Sequence, residues 1–231
     1  TEKAFEYCCV SADQIMSGIL SNNMTLGITW GAAMETYCKI LSPRQLYNVN
    51  VVQMVGCLGT GNPHMDGLEL AIHISRKLGG TYSNIYAPIY VDNELVHSYL
   101  INENQIKASL RRACQTDVVL TGVGSLDSDT ALQQAGYWTD KDRVYLKGKG
   151  AVGHILARPI DINGNEVAFD DRYVVGAPLS AMQSPEWTVG IATSAKKAGA
   201  AIAACRGGYI NTLVVDQALA LAALQLLDDL E

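Results

Sequence analysis

Short apolar runs alternate with helix-like segments along the chain, and this alternation constrains the fold more than any other feature of the sequence. Runs rich in Val, Ile and Leu predict strands, and segments with apolar residues every three to four positions predict helices. Strands are predicted at 24–29, 50–55, 82–89, 117–122, 189–192 and 212–215, and helices at 11–20, 31–41, 67–78, 103–113, 126–135, 195–206 and 216–230. This order is typical of βαβ units, so we expect an α/β fold with a mostly parallel sheet between two layers of helices.

One predicted turn interrupts this pattern. Asn163 and Gly164 lie between "RPIDI" and "EVAF", and Asn-Gly between two strand-like runs is the strongest short-range indication of a β-hairpin. We therefore expect an antiparallel excursion from the parallel sheet.

The composition limits the classes of protein to consider. A chain of 231 residues suits one α/β domain, expected over 1–231. The net charge of -6 and the lack of a basic stripe disfavour direct DNA binding by this chain. Six cysteines without a CxxC pair disfavour zinc ribbons and redox motifs, and reduced thiols in a cytoplasmic protein are expected. The most apolar tract, 214–227, is too short to span a membrane.

The predicted strands share a polar, glycine-rich end. The segments "LGITWG", "VVQMVGCLGTG", "VVLTGVG" and "VGIATSAKKAG" each run from an apolar strand into Gly, Ser or Thr and then into a helix. Ligands of open α/β sheets bind outside the carboxyl ends of the strands. We therefore expect a pocket of backbone N–H groups, hydroxyls and helix N-termini, which suits a phosphate or a sugar.

Taken one at a time, these loops fit more than one interpretation. The segment 27–34 fits a tight turn at least as well as an anion site, because it lacks the lysine of a Walker loop. His64 and Asp66 fit either a metal or acid–base pair or, more simply, a solvated loop. Ser125 or Asp127 fits a helix N-cap.

Lys196 and Lys197 point more clearly to a ligand. Both fall in the first turn of a predicted helix, where a cation opposes the helix dipole. An anionic ligand at that helix start accounts for at least one of them.

With these segments in place, the chain resembles the C-terminal effector-binding domain of the SorC (sorbitol-operon regulator) family of bacterial transcriptional regulators. The resemblance covers the chain from about residue 25 and is most specific in "GAVGHI" and "GGYINTLVVD". It is also carried by "LGITWGAAM", "VVQMVGCLG", "YAPIYVDN", "DVVLTGVGSLDSD", "LKGKGAVGHILARPIDINGNEV" and "AAIAACRGGYINTLVVDQALA".

The resemblance implies a three-layer Rossmann-like sandwich, similar to that of glucosamine-6-phosphate deaminases and ribose-5-phosphate isomerases. It also implies a sensor of a sugar or phosphosugar that needs no cofactor or metal and has no catalytic residues. A separate N-terminal helix-turn-helix domain would bind operator DNA, in agreement with an acidic chain that begins at Thr1. Family members oligomerise, and the apolar segment 218–227 fits either a core helix or the interface of a dimer or tetramer.

The resemblance also implies which residues bind the effector. The segment 27–34 matches the first phosphate-contacting loop, and Lys197 matches a lysine that reaches the phosphate. The implied ligand-binding residues are Gly27, Thr29, Trp30, Gly31, Ala32, Ala33, Gly56, Cys57, Leu58, Tyr86, Pro88, Gly122, Gly124, Ser125, Leu126, Gly150, His154 and Lys197. The segment 150–153 is expected to be a tight turn that presents His154 to the sugar.

Three positions depart from the family pattern. Many members have threonines at the positions of Ala32 and Ala33, and commonly an acidic residue at the position of His154. These departures imply a ligand without a phosphate, or a phosphate held differently.

Two kinds of enzyme compete with the sensor. A sugar-phosphate isomerase or deaminase needs a general base, for which Asp66, Asp127 and Asp129 are candidates outside any catalytic motif. A nucleotide-dependent oxidoreductase is weaker, because "GCLGTGN" lacks the GxGxxG pattern. We therefore rank an effector sensor first and expect no enzymatic activity.

Overall fold

The computed structural model describes residues 2–59, 63–126 and 131–229. The helices within these ranges are α1 (Glu2–Ile19), α2 (Ala32–Ile40), α3 (Gly67–Leu78), α4 (Glu94–Asn102), α5 (Asn104–Ala113), α6 (Ala131–Gln134), α7 (Asp140–Gly148), α8 (Ala198–Arg206) and α9 (Gln217–Asp228). The strands are β1 (Thr25–Ile28), β2 (Asn50–Gln53), β3 (Thr81–Ser83), β4 (Tyr90–Val91), β5 (Val118–Gly122), β6 (Gly124–Ser125), β7 (Ala151–Ile155), β8 (Arg158–Asp161), β9 (Tyr173–Val174), β10 (Trp187–Ala192) and β11 (Thr212–Val215).

A parallel sheet forms the centre of the molecule, in the order β11-β10-β5-β1-β2-β3. Neighbouring residues on a strand point to opposite faces, so Val51 and Val52 belong to different cores. One core packs the sheet against α1, α2 and α3, and the other packs it against α8 and the start of α9. The molecule is thus the expected three-layer α/β sandwich.

The chain leaves this sheet in an antiparallel unit formed by β6, β7 and β8. The turn between β7 and β8 contains Leu156 and Ala157, with φ angles of 50° and 60°. Positive φ at both central positions is the geometry of a type I′ turn, which usually contains Asn or Gly. A further reversal follows at Gly164 (φ 86°), and an antiparallel bridge joins Ile160 to Glu166, as the Asn163–Gly164 pair predicts.

Several predicted elements differ from the structure. The strand expected at 82–89 is limited to β3, and the tight turn expected at 150–153 mostly belongs to β7. Helices α4 and α7 were not predicted, because α4 buries no residue and α7 only Leu146, so neither has a clear apolar stripe. Among the described residues, no helix combines the length and apolar character that crossing a membrane requires.

Candidate functional site

The order of the strands creates a crevice between β1 and β5. From β1 the chain continues through β2 and β3 on one side, whereas β5, β10 and β11 lie on the other. At such a switch point the connections leave the two neighbouring strands in opposite directions, which opens a gap at their carboxyl ends. A cavity of about 280 Å³ lies where residues 29–33, after β1, approach residues 122–125, around the end of β5.

The floor of the cavity begins at the end of β1. The hydroxyls of Thr29 and Thr121 are 3.2 Å apart between these two strands. Gly31 then turns the chain into α2 with φ at 99°, a backbone conformation that side chains disfavour. Within the part of the chain that the structure describes, no side chain caps the start of α2, although the N–H of Gly31 bonds to the carbonyl of Met65.

One wall of the cavity is formed by the paired strands β6 and β7, in which His154 lies opposite Gly124. A Cβ at Gly124 would be only 1.9 Å from Nε2 of His154, and a Cβ at Gly153 would be 2.2 Å from that of Ala200. Glycine at these two positions therefore lets the imidazole lie over β6 and lets β7 pack directly on α8.

Aromatic rings hold His154 in place. Trp138 packs edge-on against the imidazole, with ring centroids 4.9 Å apart, and Trp30 stacks over it at 6.4 Å. Trp138 is itself fixed, because its Nε1 donates to the hydroxyl of Tyr90, which in turn donates to the carbonyl of Ala157. We call Trp30, Trp138 and His154 the aromatic wall.

This aromatic wall keeps its histidine uncharged. Burial, together with the nearby charge of Lys197, lowers the pKa of His154 to about 3. Both Nε2 of His154 and Nε1 of Trp30 are buried and have no hydrogen-bond partner among the described residues. Such unpaired groups are rare in folded proteins and need an explanation where they occur.

Lys197 also lines the cavity, at the end of a 3₁₀ turn (Ala195–Lys197) before α8. Its side chain is mostly buried, and burial lowers its pKa, whereas the neighbouring Lys196 is exposed. The turn starts at Ser194, which has a φ of 81° and donates its N–H to the carboxylate of Asp216. Asp216 also caps α9, so one side chain links both segments. We call Ser194 to Lys197 the lysine turn.

Many of the residues expected to bind the effector lie together around this cavity. They come from the ends of β1 and β5, from β6 and β7, and from the lysine turn: Thr29, Trp30, Gly31, Ala32, Ala33, Gly122, Gly124, Ser125, His154 and Lys197. Whether they contact an effector remains a prediction.

Other expected residues do not line this cavity. Gly27 lies inside β1, where a Cβ would come within 2.7 Å of the sulfur of Met54. Gly56, Cys57, Leu58 and Pro88 lie beyond β2, where Cys57 forms a parallel bridge with Pro88. The side chain of Tyr86 is exposed, that of Leu126 is fully buried, and Gly150 forms the turn after α7 with a φ of 89°.

The cavity also contains residues that sequence reasoning missed. They are mainly apolar: Phe5, Met65, Ala131, Gln134, Ile155, Leu156 and Ala157. The resemblance is weak in the region of Phe5, and the turn at Leu156 and Ala157 lacks the glycine or asparagine that usually marks it. Phe5 is revealed only by the placement of α1, and Ile155, Leu156 and Ala157 only by that of β7 and β8.

None of the carboxylates proposed as a general base is found at the cavity among the described residues. Asp66 caps α3 by accepting the N–H of Leu68 and also accepts the N–H of Gly59, so its carboxylate is already engaged. The described lining contains no Asp or Glu, and no cluster of metal ligands occurs in the described ranges. The other two proposed bases, Asp127 and Asp129, lie outside the described residues.

Comparison with protein families gives a match over most of the chain. The model of the family described as "Putative sugar-binding domain" matches residues 7–225. The chain is 27% identical over 194 residues to the deoxyribonucleoside regulator of Bacillus subtilis, which covers 83% of this chain. It is 29% identical over 221 residues to the transcriptional regulator LsrR of Escherichia coli, which covers 94% of this chain. The chain spans 61% of the length of the first relative and 67% of the second.

Solved structures agree on the fold. A DeoR family transcriptional regulator from Listeria monocytogenes superposes with a TM-score of 0.88 at 21% identity, over 96% of this chain and 88% of that one. The full-length sorbitol operon regulator SorC from Klebsiella pneumoniae gives 0.86 at 23% identity, over 96% of this chain and 72% of that one. These findings confirm the resemblance that the sequence motifs indicate.

Proposed function

Because the chain belongs to the family described as "Putative sugar-binding domain", we propose that it is the effector-sensing domain of a bacterial transcriptional regulator. The effector is a sugar phosphate that binds in the cavity at the carboxyl ends of β1 and β5. Binding shifts the arrangement of the intact regulator and so changes its affinity for operator DNA.

One observation carries this proposal. The cavity is lined by one mostly buried lysine, Lys197, and by the uncharged His154 of the aromatic wall. A buried ammonium group without a counter-charge is unfavourable. No described residue pairs with Lys197, and a phosphate next to it would supply the missing charge.

The other polar groups of the cavity suit the rest of a sugar. We assign the hydroxyl of Thr29, the backbone N–H groups at the start of α2 and the side chain of His154 to its oxygen atoms. The small side chains of Ala32 and Ala33 leave room for the ligand but offer it no hydroxyl. The names of two similar proteins, a deoxyribonucleoside regulator and a sorbitol operon regulator, favour an effector of this chemical class.

The intact regulator would contact DNA through a separate helix-turn-helix domain. The net charge of -6 fits a sensor that does not touch DNA itself. We further propose that the domain forms a homodimer or homotetramer. Leu221 and Leu224 of α9 are 59% and 61% exposed, which favours a surface that meets another subunit. Light scattering of the purified chain measures its mass and tests this point.

A thermal-shift screen tests the proposed effector class. The panel contains ribose 5-phosphate, 2-deoxyribose 5-phosphate, glucose 6-phosphate, fructose 6-phosphate and sorbitol 6-phosphate, each beside its unphosphorylated parent. A ligand at 100 times its dissociation constant stabilises a fold by about 2.7 kcal/mol, a readily measured shift in melting temperature. We expect a phosphorylated compound to stabilise the chain and its parent compound to have much less effect.

A matched pair of variants localises the binding. Lys197→Gln should abolish the shift, whereas Lys196→Gln removes the same charge one residue earlier and should leave it intact. The absence of a shift with every compound, or an equal loss in both variants, would contradict the proposed site. Turnover of ribose 5-phosphate or glucosamine 6-phosphate would instead establish the competing enzymatic function.

A further inference from the structure

Helix α1 reaches the cavity with its first two turns. Phe5 lines the cavity and packs against the core that α1 shares with α2 and α3. Cys9, one turn later, donates from its Sγ to the carbonyl of Ala33 at 3.9 Å. Because Ala33 also lines the cavity, α1 contacts the candidate site at two places.

The later turns of α1 are held firmly. The buried residues of the helix all lie from position 8 onward: Cys8, Cys9, Ala12, Asp13 and Met16. The carboxylate of Asp13 accepts from Nη2 of Arg44 at 2.5 Å and from the hydroxyl of Tyr37 at 3.4 Å. Since Tyr37 belongs to α2 and Arg44 to the loop after it, this part of α1 is tied to its neighbours by packing and by an ion pair.

The first turns of α1 are held much less. Among residues 3–7, Ala4 and Phe5 are partly buried and the other three are exposed. The N–H groups of a first helical turn also lack acceptors within the helix. Helix ends of this kind open locally with a small free energy, and elements that respond to ligands are drawn from such regions. The position of Phe5 therefore places a weakly held helix end next to the cavity.

We propose that Phe5 contacts the bound effector and that this contact holds the first two turns of α1 in place. The inference rests on the proposed function and adds to it a binding residue and an output. An aromatic ring at a pocket buries C–H groups of a ligand, while the few polar groups fix its orientation. Because the ligand then binds the closed helix end more tightly than the open one, binding shifts α1 toward the closed state.

This contact gives the intact regulator a route for its signal. The proposed helix-turn-helix domain precedes α1, so a change in the order of the first turns acts on the connection between the two domains. The later turns stay fixed through Asp13 and Arg44, and this restricts the response to the end of α1 that leads to that domain.

Hydrogen exchange of the full chain tests the effect on α1. The amides of residues 6–9 bond to the carbonyls of the first turn and report its order. The panel compound that stabilises the chain most should slow their exchange by at least about fivefold, because opening of the helix end would break the contact with Phe5. Helix α4, which buries no residue and lies outside the cavity lining, is the control and should not change. No slowing in α1, or equal slowing in α4, would overturn the inference.

A matched pair of variants tests the role of the ring. Phe5→Ala removes the ring at the cavity, whereas Tyr7→Ala removes a 69% exposed ring of the same helix that is not part of the cavity lining. Phe5→Ala should weaken binding of that compound by about fivefold or more, and Tyr7→Ala by less than about twofold. At saturating ligand Phe5→Ala should also lose the slowed exchange of residues 6–9. Exchange is compared with and without ligand in the same variant, so a packing defect alone does not produce this loss.

The outcomes separate this inference from the proposed function. Wild-type affinity in Phe5→Ala, or slowed exchange that persists in it, would overturn the role of Phe5 while the sensor function stands. If no panel compound stabilises the wild type, the proposed function fails and this inference fails with it. Exchange of the unmodified chain, with and without the compound, tests the response of α1 even where a variant does not fold.

Discussion

The aromatic wall and the lysine turn, which both contribute to the cavity, differ in their electrostatics. The aromatic wall keeps His154 neutral, because burial disfavours the charged imidazole and the nearby Lys197 repels it. The lysine turn holds an ammonium group in a mostly buried place where no described side chain pairs with it. Because one of these two groups is charged and the other is neutral, a ligand with one charged end and one uncharged end suits the cavity.

The largest expected effect comes from filling the space under the histidine. In Gly124→Ala the new Cβ would overlap Nε2 of His154, so the ring or β6 must shift, and overpacking of this kind costs about 3 kcal/mol. Urea denaturation measures the loss. In the double variant with His154→Ala the overlap partner is gone, so most of the penalty should disappear. An equal penalty in both backgrounds would show that the ring does not lie on Gly124.

A somewhat smaller effect concerns pH. Above the ordinary histidine pKa of 6.5, His154 is neutral in both the folded and the unfolded chain, so it adds no pH dependence. Below 6.5 the unfolded chain binds a proton that the folded chain, with its pKa of about 3, does not bind. The free energy of unfolding therefore decreases as the pH is lowered. For this residue the decrease is about 2 kcal/mol from pH 7 to pH 5.

Urea denaturation of wild type and His154→Asn at pH 7, 6 and 5 measures this dependence. The variant should lack the contribution of His154, while the other titrating groups contribute equally to both proteins. Parallel pH profiles for the two proteins would contradict an uncharged, buried His154.

The smallest expected effect is on the stability of the ligand-free protein when the charge of Lys197 is removed. Lys197→Met keeps most of the side-chain length and removes a desolvated charge, so the ligand-free protein should become more stable by about 0.5–1 kcal/mol. Lys196→Met, on the exposed neighbour, should change the stability by less than about 0.5 kcal/mol. A loss of stability in Lys197→Met would show that the ammonium group already has a favourable partner.

The sequence predicted the central sheet well because its strands are covered on both faces. Buried strands such as 117–122 and 189–192 read as continuous apolar runs, and their glycine-rich ends marked the cavity. Helix α4 was missed because it buries no residue and so leaves no apolar stripe to detect. The glycines of the segment 150–153 predict a turn, whereas in the structure Gly153 allows the close packing of β7 on α8.

The candidate site was predictable only in part. Lys197 could be predicted because a cation at the start of a helix interacts unfavourably with the helix dipole and so indicates a bound anion. The loop after β1 could be predicted from its glycines. Gly56, Cys57 and Leu58, beyond β2, looked equally promising in sequence but do not line this cavity, because strand order and not glycine content places the crevice between β1 and β5. Phe5 and the aromatic packing around His154 depend on contacts distant in sequence, which no local pattern records.

A crystal structure of the chain with the sugar phosphate that stabilises it most tests the account directly. We expect the phosphate within hydrogen-bond distance of the Nζ of Lys197, and an uncharged ligand oxygen next to the imidazole of His154 at the carboxyl ends of β1 and β5. A ligand bound elsewhere, or with its phosphate at the aromatic wall, would contradict the division of the cavity into a charged and an uncharged end.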